Sequence, residues 1–509
     1  MSLMGIDIGT SGCKVAIFSE LGDLLAQTYR EYDIIVRRPG WNELDSVDVW
    51  NKVKSAIREA AFNLRDKYPK DPVKAFSVSS FGEAMTPVSE DRSILDNCIL
   101  GLDCRGQEYV EPFAEKVGIQ HFFEINGNIL GHMYSMPKLQ WIRDNKPDLF
   151  DRAYKFLLWQ DLIYFLMGCD PVTDCSLAGR TLLYDIKGKG WSDELAKAAS
   201  IPVGKLPRIA PAGTDLGPIS EAVADELGLP RGTRAVVGGH DQCCNALGAG
   251  VVRPRVAVYG IGTFACITPA FSILPDSTLM MRNKMGIEAH VVPGLYVSFL
   301  YNGTGGSILK WFRDRLAGVE KAQAEAAGVD VYDKLMAELP ESPSRIMVLP
   351  HFTVTGPPLL ESRTSGVIAG LTLETTRGEL VKGLLEGVTY YLREEVVLLE
   401  GAGINIDEYR PTGGGAKSQA WLQIAADIMG KPFAKPRVVE AGAFGAAILA
   451  GMGVGIFDSA IGAADELVKI ERVYEPDAAR CEIYRRRMDL YRRMYPALRE
   501  FLRDLSVLD

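Results

Sequence analysis

The chain is poor in the side chains that usually bind transition metals. Its 509 residues include only 5 His, which are far apart in the sequence and form no H-E-x-x-H motif. Its 9 Cys form no C-x-x-C pair, the spacing found in many zinc and redox sites. We therefore expect neither a zinc site nor a disulfide framework, and the reducing cytoplasm is the expected compartment.

An excess of positive charge and a membrane-spanning run are also missing. Lys and Arg total 56 against 65 Asp and Glu, a net charge of −9, which argues against a non-specific nucleic-acid partner. The uncharged, glycine-rich run 441–457 is shorter than the roughly 20 apolar residues that cross a bilayer, so it predicts a buried helix and a turn. The N-terminus has no basic start followed by an apolar stretch, so no secretion signal is expected. Neither a membrane nor nucleic acid is therefore an expected partner.

What the chain does contain is a short phrase that occurs twice, half a chain apart. The copies are Ile8-Gly9-Thr10-x-x-Cys13 and Ile261-Gly262-Thr263-x-x-Cys266. Each lies between apolar, β-branched runs and predicts two strands joined by a tight glycine turn. Such a turn exposes backbone N–H groups and hydroxyls that suit phosphate oxygens, so two facing turns would hold a nucleotide between two lobes. The alternative is that strand–turn–strand sequences are common and resemble one another without a shared function.

The two copies differ at one position inside the first strand. The first copy has Asp7 where the second has Gly260. A carboxylate beside a phosphate-binding turn suits a hard cation such as Mg²⁺. The asymmetry therefore predicts that the first turn also serves a metal ion.

Strand and helix patterns alternate along the chain, which predicts an α/β protein. A strand at 75–79 leads into the loop Phe81-Gly82-Glu83. A buried strand at 235–237 runs into residues 238–242, and a helix is predicted at 243–250. We place the boundary near the start of that helix, which gives domains of 1–246 and 247–509.

Two glycine loops in the second half each precede a predicted helix. Residues 302–306 precede a helix at 307–316, and residues 411–416 precede a helix at 418–429. A glycine run at a helix N-terminus leaves N–H donors free for phosphate or ribose. Glycine loops that only allow close packing are equally common, so each loop alone is weak support for a nucleotide site.

Two longer motifs carry a resemblance to a known family. The first reads Met133-x-Ser135-x-x-Lys138-Leu139-x-Trp141-Ile142-x-Asp144-Asn145. The second reads Gly366-x-Ile368-x-Gly370-Leu371 and, seven residues later, Glu379-Leu380-x-x-Gly383-Leu384-Leu385-Glu386. Together with Gly239-His240-Asp241-Gln242, they resemble the FGGY carbohydrate kinases, although Gly383 stands where the family usually has Ala or Ser. The resemblance implies two ribonuclease H-like domains, similar to those of actin, Hsp70 and hexokinase, with a catalytic cleft between them.

The resemblance also implies roles for particular residues. Asp241 resembles the general base that takes the proton of the sugar hydroxyl, although its carboxylate could equally cap a helix starting at Gln242. Asp7 would hold Mg²⁺ through water, and ATP is the implied phosphate donor. The family's phosphate-side and nucleotide-side residues match Thr10, Ser11, Lys14, Gly262, Thr263, Gly306, Lys310, Gly413, Gly414, Gly415 and Ala416. Lys14 could instead be a solvent-facing strand lysine, and 413–416 a close-packed turn.

Acceptor specificity rests on the loop after the 75–79 strand. Glycerol kinases carry Arg-Glu there and xylulokinases Met-His, whereas this chain has Gly82-Glu83. Glu83 suits hydrogen bonding to hydroxyls, or is simply a surface carboxylate. The resemblance adds Asp103 and Gln242 to the expected acceptor site, with Arg105 close to Asp103 in sequence.

The sequence therefore predicts an ATP-dependent kinase for a small sugar or polyol, with a pentulose such as xylulose as the leading acceptor. Another ketose, a polyol or a sugar acid is the alternative. A non-kinase ATPase of the actin-like fold is a further competitor, because it would use the same hairpins. The number of subunits stays open, with a homodimer as the candidate assembly.

Overall fold

A computed structural model describes residues 1–438 and 440–508 of the chain. The strands of the first half are β1 Ser2–Ile8, β2 Gly12–Ser19, β3 Leu24–Glu31, β4 Ile35–Arg38, β5 Trp41–Leu44, β6 Val73–Ser80, β7 Thr86–Val88, β8 Cys98–Ile99, β9 Lys155–Leu157, β10 Val172–Thr173, β11 Tyr184–Asp185, β12 Gly190–Trp191, β13 Arg208–Ile209, β14 Asp215–Pro218 and β15 Arg234–His240. Those of the second half are β16 Val256–Ile261, β17 Ala265–Phe271, β18 Glu288–Ala289, β19 Tyr296–Val297, β20 Leu300–Asn302, β21 Met347–Leu349, β22 Val367–Ala369, β23 Glu408–Thr412, β24 Phe433–Pro436 and β25 Ile470–Tyr474.

The α-helices of the first half are α1 Ser46–Lys67, α2 Val110–Val117, α3 Ile119–Asn126, α4 Ser135–Asn145, α5 Pro147–Arg152, α6 Trp159–Leu166, α7 Cys175–Gly179, α8 Asp193–Ala199, α9 Glu221–Leu227 and α10 Asp241–Gly248. Those of the second half are α11 Ser277–Arg282, α12 Ser307–Leu316, α13 Gly318–Ala327, α14 Val331–Ala337, α15 Arg377–Gly401, α16 Gln419–Met429, α17 Ala441–Gly453, α18 Ala460–Leu467 and α19 Ala478–Leu505. Among the helices of the described ranges, none has both the length and the apolar composition that a bilayer crossing requires.

The two large sheets repeat one arrangement of strands. In the first, the order is β14-β15-β6-β1-β2-β3, with β1, β6 and β15 parallel to one another. In the second, the order is β18-β19-β17-β16-β23-β24-β25, with β20 also paired to β17 and with β16, β23 and β24 parallel. Each sheet thus has a hairpin, a third antiparallel strand and two parallel strands beside the first. This confirms the predicted α/β fold with two ribonuclease H-like halves.

Both predicted glycine hairpins form, in equivalent positions of the two sheets. In the first, β1 pairs with β2 so that Asp7 lies opposite Lys14. In the second, β16 pairs with β17 so that Gly260 lies opposite Cys266. The repeated phrase therefore marks a structural duplication, and the acid occurs at this strand position in the first hairpin and not in the second.

Predicted helix positions hold while several ends differ. Apolar residues at helical spacing predict a helix at 47–68. The structure has this helix at Ser46–Lys67, because the Asp45 side chain accepts hydrogen bonds from Val47 N and Asp48 N and caps it. The helix predicted at 243–250 is Asp241–Gly248, so it begins two residues earlier than expected. The correction matters because it puts Asp241 in the first turn of the helix.

Two helices, one from each half, cross with their backbones in contact. They are α10 and α17, and α17 also packs on β1, β6 and β15 of the first sheet. A Cβ atom at Gly445 would lie 1.9 Å from Cys244 O, and one at Gly248 would lie 2.0 Å from Ala441 O. On the sheet side, a Cβ at Gly5 would lie 1.8 Å from Ala443 O. Only glycine fits at these positions, because any other residue would place a carbon atom inside the neighbouring backbone.

We predict that Gly445→Ala destabilises the protein by about 1–3 kcal/mol or more, since the added methyl group must push α10 and α17 apart. Gly401→Ala in α15 is the matched control, because a Cβ at Gly401 has no atom within 4 Å. That control should be neutral or stabilising by up to about 1 kcal/mol. Equilibrium denaturation of both variants checks the prediction. Equal stability of the two variants would show that the helix crossing tolerates a side chain.

Candidate active site

Three acidic residues meet at one edge of the first sheet. The parallel strands β1, β6 and β15 are neighbours, with Asp7 opposite Ser79 and His240 opposite Ser80. Asp7 is near the carboxyl end of β1, Glu83 follows β6 and Asp241 follows β15. The carboxyl ends of parallel strands are where α/β proteins usually bind ligands. The edge therefore brings together residues that the sequence separates by more than two hundred positions.

Asp241 stands at the first position of α10, directly after the carboxyl end of β15. The residue before the helix is His240, and that cap makes no side-chain hydrogen bond. The alternative in which Asp241 caps a helix starting at Gln242 is therefore not the arrangement found. Its side chain is 28% exposed, so a ligand in the cleft can reach the carboxylate.

The surroundings raise the pKa of the Asp241 carboxyl to about 7. The largest cause is the loss of water around the carboxylate, and the negative charges of Asp7 and Glu83 add to it. A hydrogen bond from the Gln242 N–H and the positive charge of Arg180 oppose this rise. A carboxylate with a pKa near neutrality is suited to general base chemistry.

His240 lies beside Asp241 but does not form an ion pair with it. The distance from His240 Nε2 to Asp241 Oδ1 is 3.4 Å. Burial, with a contribution from Arg180, lowers the pKa of His240 well below its usual value, so the imidazole is neutral. The charge at this edge is therefore set by the carboxylates and Arg180.

Asp7 is held by a hydroxyl group and by the start of α17. Ser79 Oγ donates a hydrogen bond of 2.5 Å to Asp7 Oδ1, and a Cβ at Gly442 would lie 3.1 Å from both carboxylate oxygens. Burial raises the pKa of Asp7, while Ser79 and Lys14 act in the opposite direction. The described residues contain no group of three or more His, Cys, Asp or Glu side chains arranged for a metal ion. A lone carboxylate fits Mg²⁺, which keeps most of its water ligands and needs few protein ligands.

The first hairpin turn lies close to the residue that precedes α17. Gly9 N donates to Gly12 O at 2.9 Å to close the turn, which leaves Thr10 half-buried and Ser11 exposed. Lys14 Nζ donates to Glu440 Oε2 across the two halves of the chain. Lys14 is thus partly buried in an ion pair and is not a free surface lysine.

The second hairpin meets both glycine loops. Gly306 N donates to Gly262 O at 2.7 Å, and a Cβ at Gly413, whose φ is +82°, would lie 2.7 Å from Ile261 O. The backbone of Gly262 and Thr263 stays exposed, as do Gly413 and Gly414, while Gly415 is half-buried and Ala416 is buried. Gly306 precedes α12, and Lys310 is exposed on its first turns. The predicted nucleotide-side residues therefore form one crevice rather than three separate loops.

Contacts from α10 join this crevice to the acidic edge. Asn245 Nδ2 donates to Thr412 Oγ1 at 3.4 Å, at the start of the second glycine loop. The Cys266 Sγ lies 3.9 Å from Gln242 Oε1. Asp241 thus starts a helix whose side chains contact the second hairpin and the second glycine loop.

Two residues of the edge were missed from the sequence: Arg180 and Glu288. Arg180 Nε donates to Glu83 Oε1 at 2.6 Å, a second Arg180 nitrogen also donates to Glu83, and Nη1 donates to Glu288 Oε1. No signal in the sequence could have found them, because Arg180 is 97 positions from Glu83 and 108 from Glu288. Only the tertiary fold brings these three side chains together.

Gly82 and Glu83 adopt backbone conformations that favour these contacts. Glu83 has a φ of +66°, a left-handed conformation that is uncommon for glutamate. Its carbonyl oxygen accepts a hydrogen bond of 2.6 Å from Ser135 Oγ. A Cβ at Gly82 would lie 2.7 Å from Arg180 Cγ, so the glycine leaves room for the arginine stem. Glu83 is therefore fixed in the cleft and is not a mobile surface carboxylate.

Asp103 is enclosed by protein groups. It is fully buried, with Arg105 Nε at 2.9 Å from Oδ1 and Arg105 Nη2 at 2.7 Å from Oδ2. Asn42 N also donates to Oδ2 at 2.6 Å. Arg105 packs over the rings of Trp41 and Trp141. In this arrangement both oxygens of Asp103 are already bonded, and a contact with an acceptor stays a prediction.

The cleft, the duplicated hairpins and the glycine crevice define a two-lobed phosphotransferase, and comparison with known proteins gives the family. Residues 2–248 match the N-terminal domain and residues 261–454 the C-terminal domain of the FGGY family of carbohydrate kinases. The chain belongs to this family and is an ATP-dependent carbohydrate kinase. The resemblance inferred from the sequence motifs is confirmed.

Individual relatives are similar over nearly the whole chain. The xylulose kinase of Bacillus subtilis (strain 168) is 27% identical over 97% of this chain and 96% of its own. The glycerol kinase of Halorhodospira halophila is also 27% identical, over 95% of this chain and 94% of its own. The crystal structure of xylulose kinase from Rhodospirillum rubrum superposes with a TM-score of 0.87 at 26% identity, covering 99% of this chain and 100% of that one. These similarities confirm the two-domain actin-like fold.

The charges around Asp241 predict a pH dependence. Because a general base must be ionised, kcat/KM should fall about tenfold per pH unit below the pKa of Asp241, which is about 7. The variant Glu83→Gln removes a negative charge that raises this pKa, so the acidic limb of the profile should move to lower pH. Asp23→Asn is the control, because Asp23 lies in the exposed turn between β2 and β3, at the opposite end of β2 from the first glycine turn. An acidic limb that stays in place in Glu83→Gln would refute the proposed electrostatic coupling.

Proposed function

We propose that the protein transfers the γ-phosphate of ATP to a hydroxyl group of a small sugar or polyol, with Asp241 as the general base. The observation that carries this proposal is the Asp241 carboxylate, which faces the cleft beside Asp7 and Glu83 with a pKa near 7. It would accept the hydroxyl proton as the oxygen attacks the γ-phosphorus in line. Phosphoryl transfer needs little covalent help from the protein, so alignment and charge neutralisation dominate.

We propose Mg²⁺ as the metal and Asp7 as the residue that binds it through water. Support comes from the Asp7 carboxylate itself, which Ser79 holds in place through a hydrogen bond to Oδ1. Bound magnesium would neutralise the phosphate charge that develops during transfer. Thr10, Ser11 and Lys14 would contact the phosphates from the first hairpin, and Lys14 would have to leave Glu440 to do so.

On the other side of the cleft, the exposed backbone of Gly262 and Thr263 is the proposed seat for the remaining phosphates. Gly306 and Lys310 would add contacts from α12. The ribose and adenine would lie along 413–416, where exposed glycines allow close approach. The half 1–246 would then hold the acceptor and phosphates on one side of the cleft, and the half 247–509 would hold the nucleotide on the other.

A pentulose such as xylulose is the proposed acceptor. Relatives named as xylulose kinases support it, and so does Glu83, which can bond sugar hydroxyls. Gly82 argues against glycerol, because the Arg-Glu pair expected of a glycerol kinase at this loop is absent. Another ketose, a polyol or a sugar acid is the alternative acceptor. The nine free thiols of the described chain support the cytoplasm as the compartment.

An acceptor panel tests the proposal directly. Purified protein with ATP and Mg²⁺ should release ADP in a sugar-dependent manner, fastest with a pentulose among pentuloses, hexuloses and polyols. Mass spectrometry of the product would identify the phosphorylated sugar. ATP hydrolysis at one rate regardless of the sugar would overturn the proposal.

Asp241→Asn should lower phosphoryl transfer by about 10²–10⁴ in rate, because the amide cannot accept the hydroxyl proton. ATP should still bind with a dissociation constant within a few-fold of that of the unmodified protein, which calorimetry can measure. Asp23→Asn, in the exposed turn after β2, is the matched control and should keep full activity. Turnover of Asp241→Asn within a few-fold of the unmodified protein would mean that another group acts as the base.

Asp7→Asn should raise the Mg²⁺ concentration needed for half-maximal rate by about tenfold or more, since a neutral amide is a poor magnesium ligand. The measurement is a magnesium titration of the initial rate at fixed ATP, together with calorimetry of ATP binding in the absence of metal. Binding of metal-free ATP should be unchanged or tighter, because a negative charge has been removed. An unaltered magnesium requirement would remove Asp7 from the metal site.

A further inference from the structure

We propose that Arg180, clamped between Glu83 and Glu288, restricts the acceptor to uncharged sugars and polyols and excludes sugar acids. This inference rests on the proposed function, because it concerns the acceptor of the same cleft. It selects between the neutral and the acidic acceptors that the sequence leaves open. Neither Arg180 nor Glu288 belongs to the residues expected from the sequence.

The clamp lies at the reacting end of the cleft. Arg180 follows α7, and its guanidinium lies 4.8 Å from the centre of the Tyr134 ring and 5.8 Å from that of Phe299. The Phe299 ring lies 5.3 Å from the ring of His240, the residue before Asp241, and the Arg180 charge acts on the Asp241 carboxyl. The aromatic rings limit where the guanidinium can move. An acceptor positioned for attack near Asp241 would therefore be within reach of this group.

The guanidinium is already committed to two carboxylates. An arginine has five N–H donors, and three of the Arg180 hydrogen bonds go to Glu83 and Glu288. The side chains of Arg180, Glu83 and Glu288 are 9%, 13% and 2% exposed, so solvent weakens these ion pairs little. The remaining N–H donors can bond a hydroxyl or a carbonyl oxygen. They do not offer the uncompensated positive charge that a carboxylate ligand requires.

The net charge of the pocket opposes an anionic acceptor. One arginine stands against Glu83 and Glu288, and Asp7 and Asp241 lie at the same edge. A sugar acid would add a further carboxylate to this group and would be repelled. A neutral ketose adds no charge to this group.

Two residues, one from each half of the chain, determine where the Arg180 side chain lies. Without a side chain at Gly82, the Arg180 stem fills the space beside the loop, where a Cβ would lie 2.7 Å from Arg180 Cγ. Glu288 is on β18, in the second sheet, so the clamp is completed only when both halves of the chain are in place. Gly82 in the first half thus leaves space for Arg180, and Glu288 in the second half binds its guanidinium.

The test measures the ratio of kcat/KM for aldonates (xylonate and gluconate) to that for xylulose and ribulose, at pH 8 with saturating ATP and Mg²⁺. The unmodified protein should prefer the neutral acceptors by at least about 100-fold. Glu288→Gln leaves Arg180 with one carboxylate, so the aldonate ratio should rise about tenfold or more. Arg180→Met should lose at least about tenfold in kcat/KM for the ketose and gain nothing on aldonates.

Glu386→Gln is the matched control, because Glu386 is a buried acid in α15 that contacts Ser344 and Tyr484 outside the cleft. It should leave the ratio unchanged. Thermal unfolding of each variant separates misfolding from a change in selectivity. Preference of the unmodified protein for aldonates, or an unchanged ratio in Glu288→Gln, would overturn the proposal.

Equilibrium binding keeps this proposal separate from the proposed function. Calorimetry with xylulose and with xylonate compares the two acceptors without any need for turnover. If no sugar stimulates ADP release but xylulose still binds at least about 100-fold tighter than xylonate, the proposed function is wrong, while the proposed exclusion of sugar acids stands. Tighter binding of xylonate would overturn the proposed exclusion of sugar acids even if xylulose were phosphorylated.

Discussion

The contact between α10 and α17 is the constraint on which the rest of the structure depends. With glycines at Gly248 and Gly445, the two backbones meet without side chains between them. The first helix begins with Asp241, and the second begins beside Asp7, where a Cβ at Gly442 would touch the carboxylate. Sliding of one helix along the other would drive backbone atoms into each other. The spacing of the two acids is therefore set by the close packing of these two helices.

Concentrating acids at one sheet edge has an electrostatic cost that the fold must offset. Burial of Asp241, together with repulsion from Asp7 and Glu83, raises the pKa of its carboxyl to about 7. Arg180 compensates Glu83 but also binds Glu288, so the edge keeps an excess of negative charge. In the proposed function, this excess would favour the binding of a cation with the nucleotide and would disfavour a second anion at the proposed acceptor site. One charge distribution would thus serve both sides of the proposed reaction.

The parts of the fold that are local in sequence could be predicted. Both hairpins, the helix at 307–316 and the buried helix at 441–453 follow from turn chemistry and apolar patterns that a few neighbouring residues determine. Helix ends were less predictable, because Asp45 extends α1 by one residue and α10 takes in Asp241. Only the family resemblance indicates that Asp7 and Asp241 lie in the same site. Patterns within single segments carry no information about which strands become neighbours.

What could not be predicted is the set of contacts between distant segments. The sequence predicts that Lys14 either binds phosphate or faces solvent, whereas in the structure it pairs with Glu440 from the other half. Asp103 is predicted to bind the acceptor, whereas in the structure Arg105 and the Asn42 N–H donate hydrogen bonds to its oxygens. The loop pair Gly82-Glu83 is weak evidence for a particular acceptor, because the arginine that binds Glu83 comes from position 180. The proposed acceptor site thus takes Glu83, Arg180 and Glu288 from three separate segments, and the loop alone does not contain the residue that occupies the space left by Gly82.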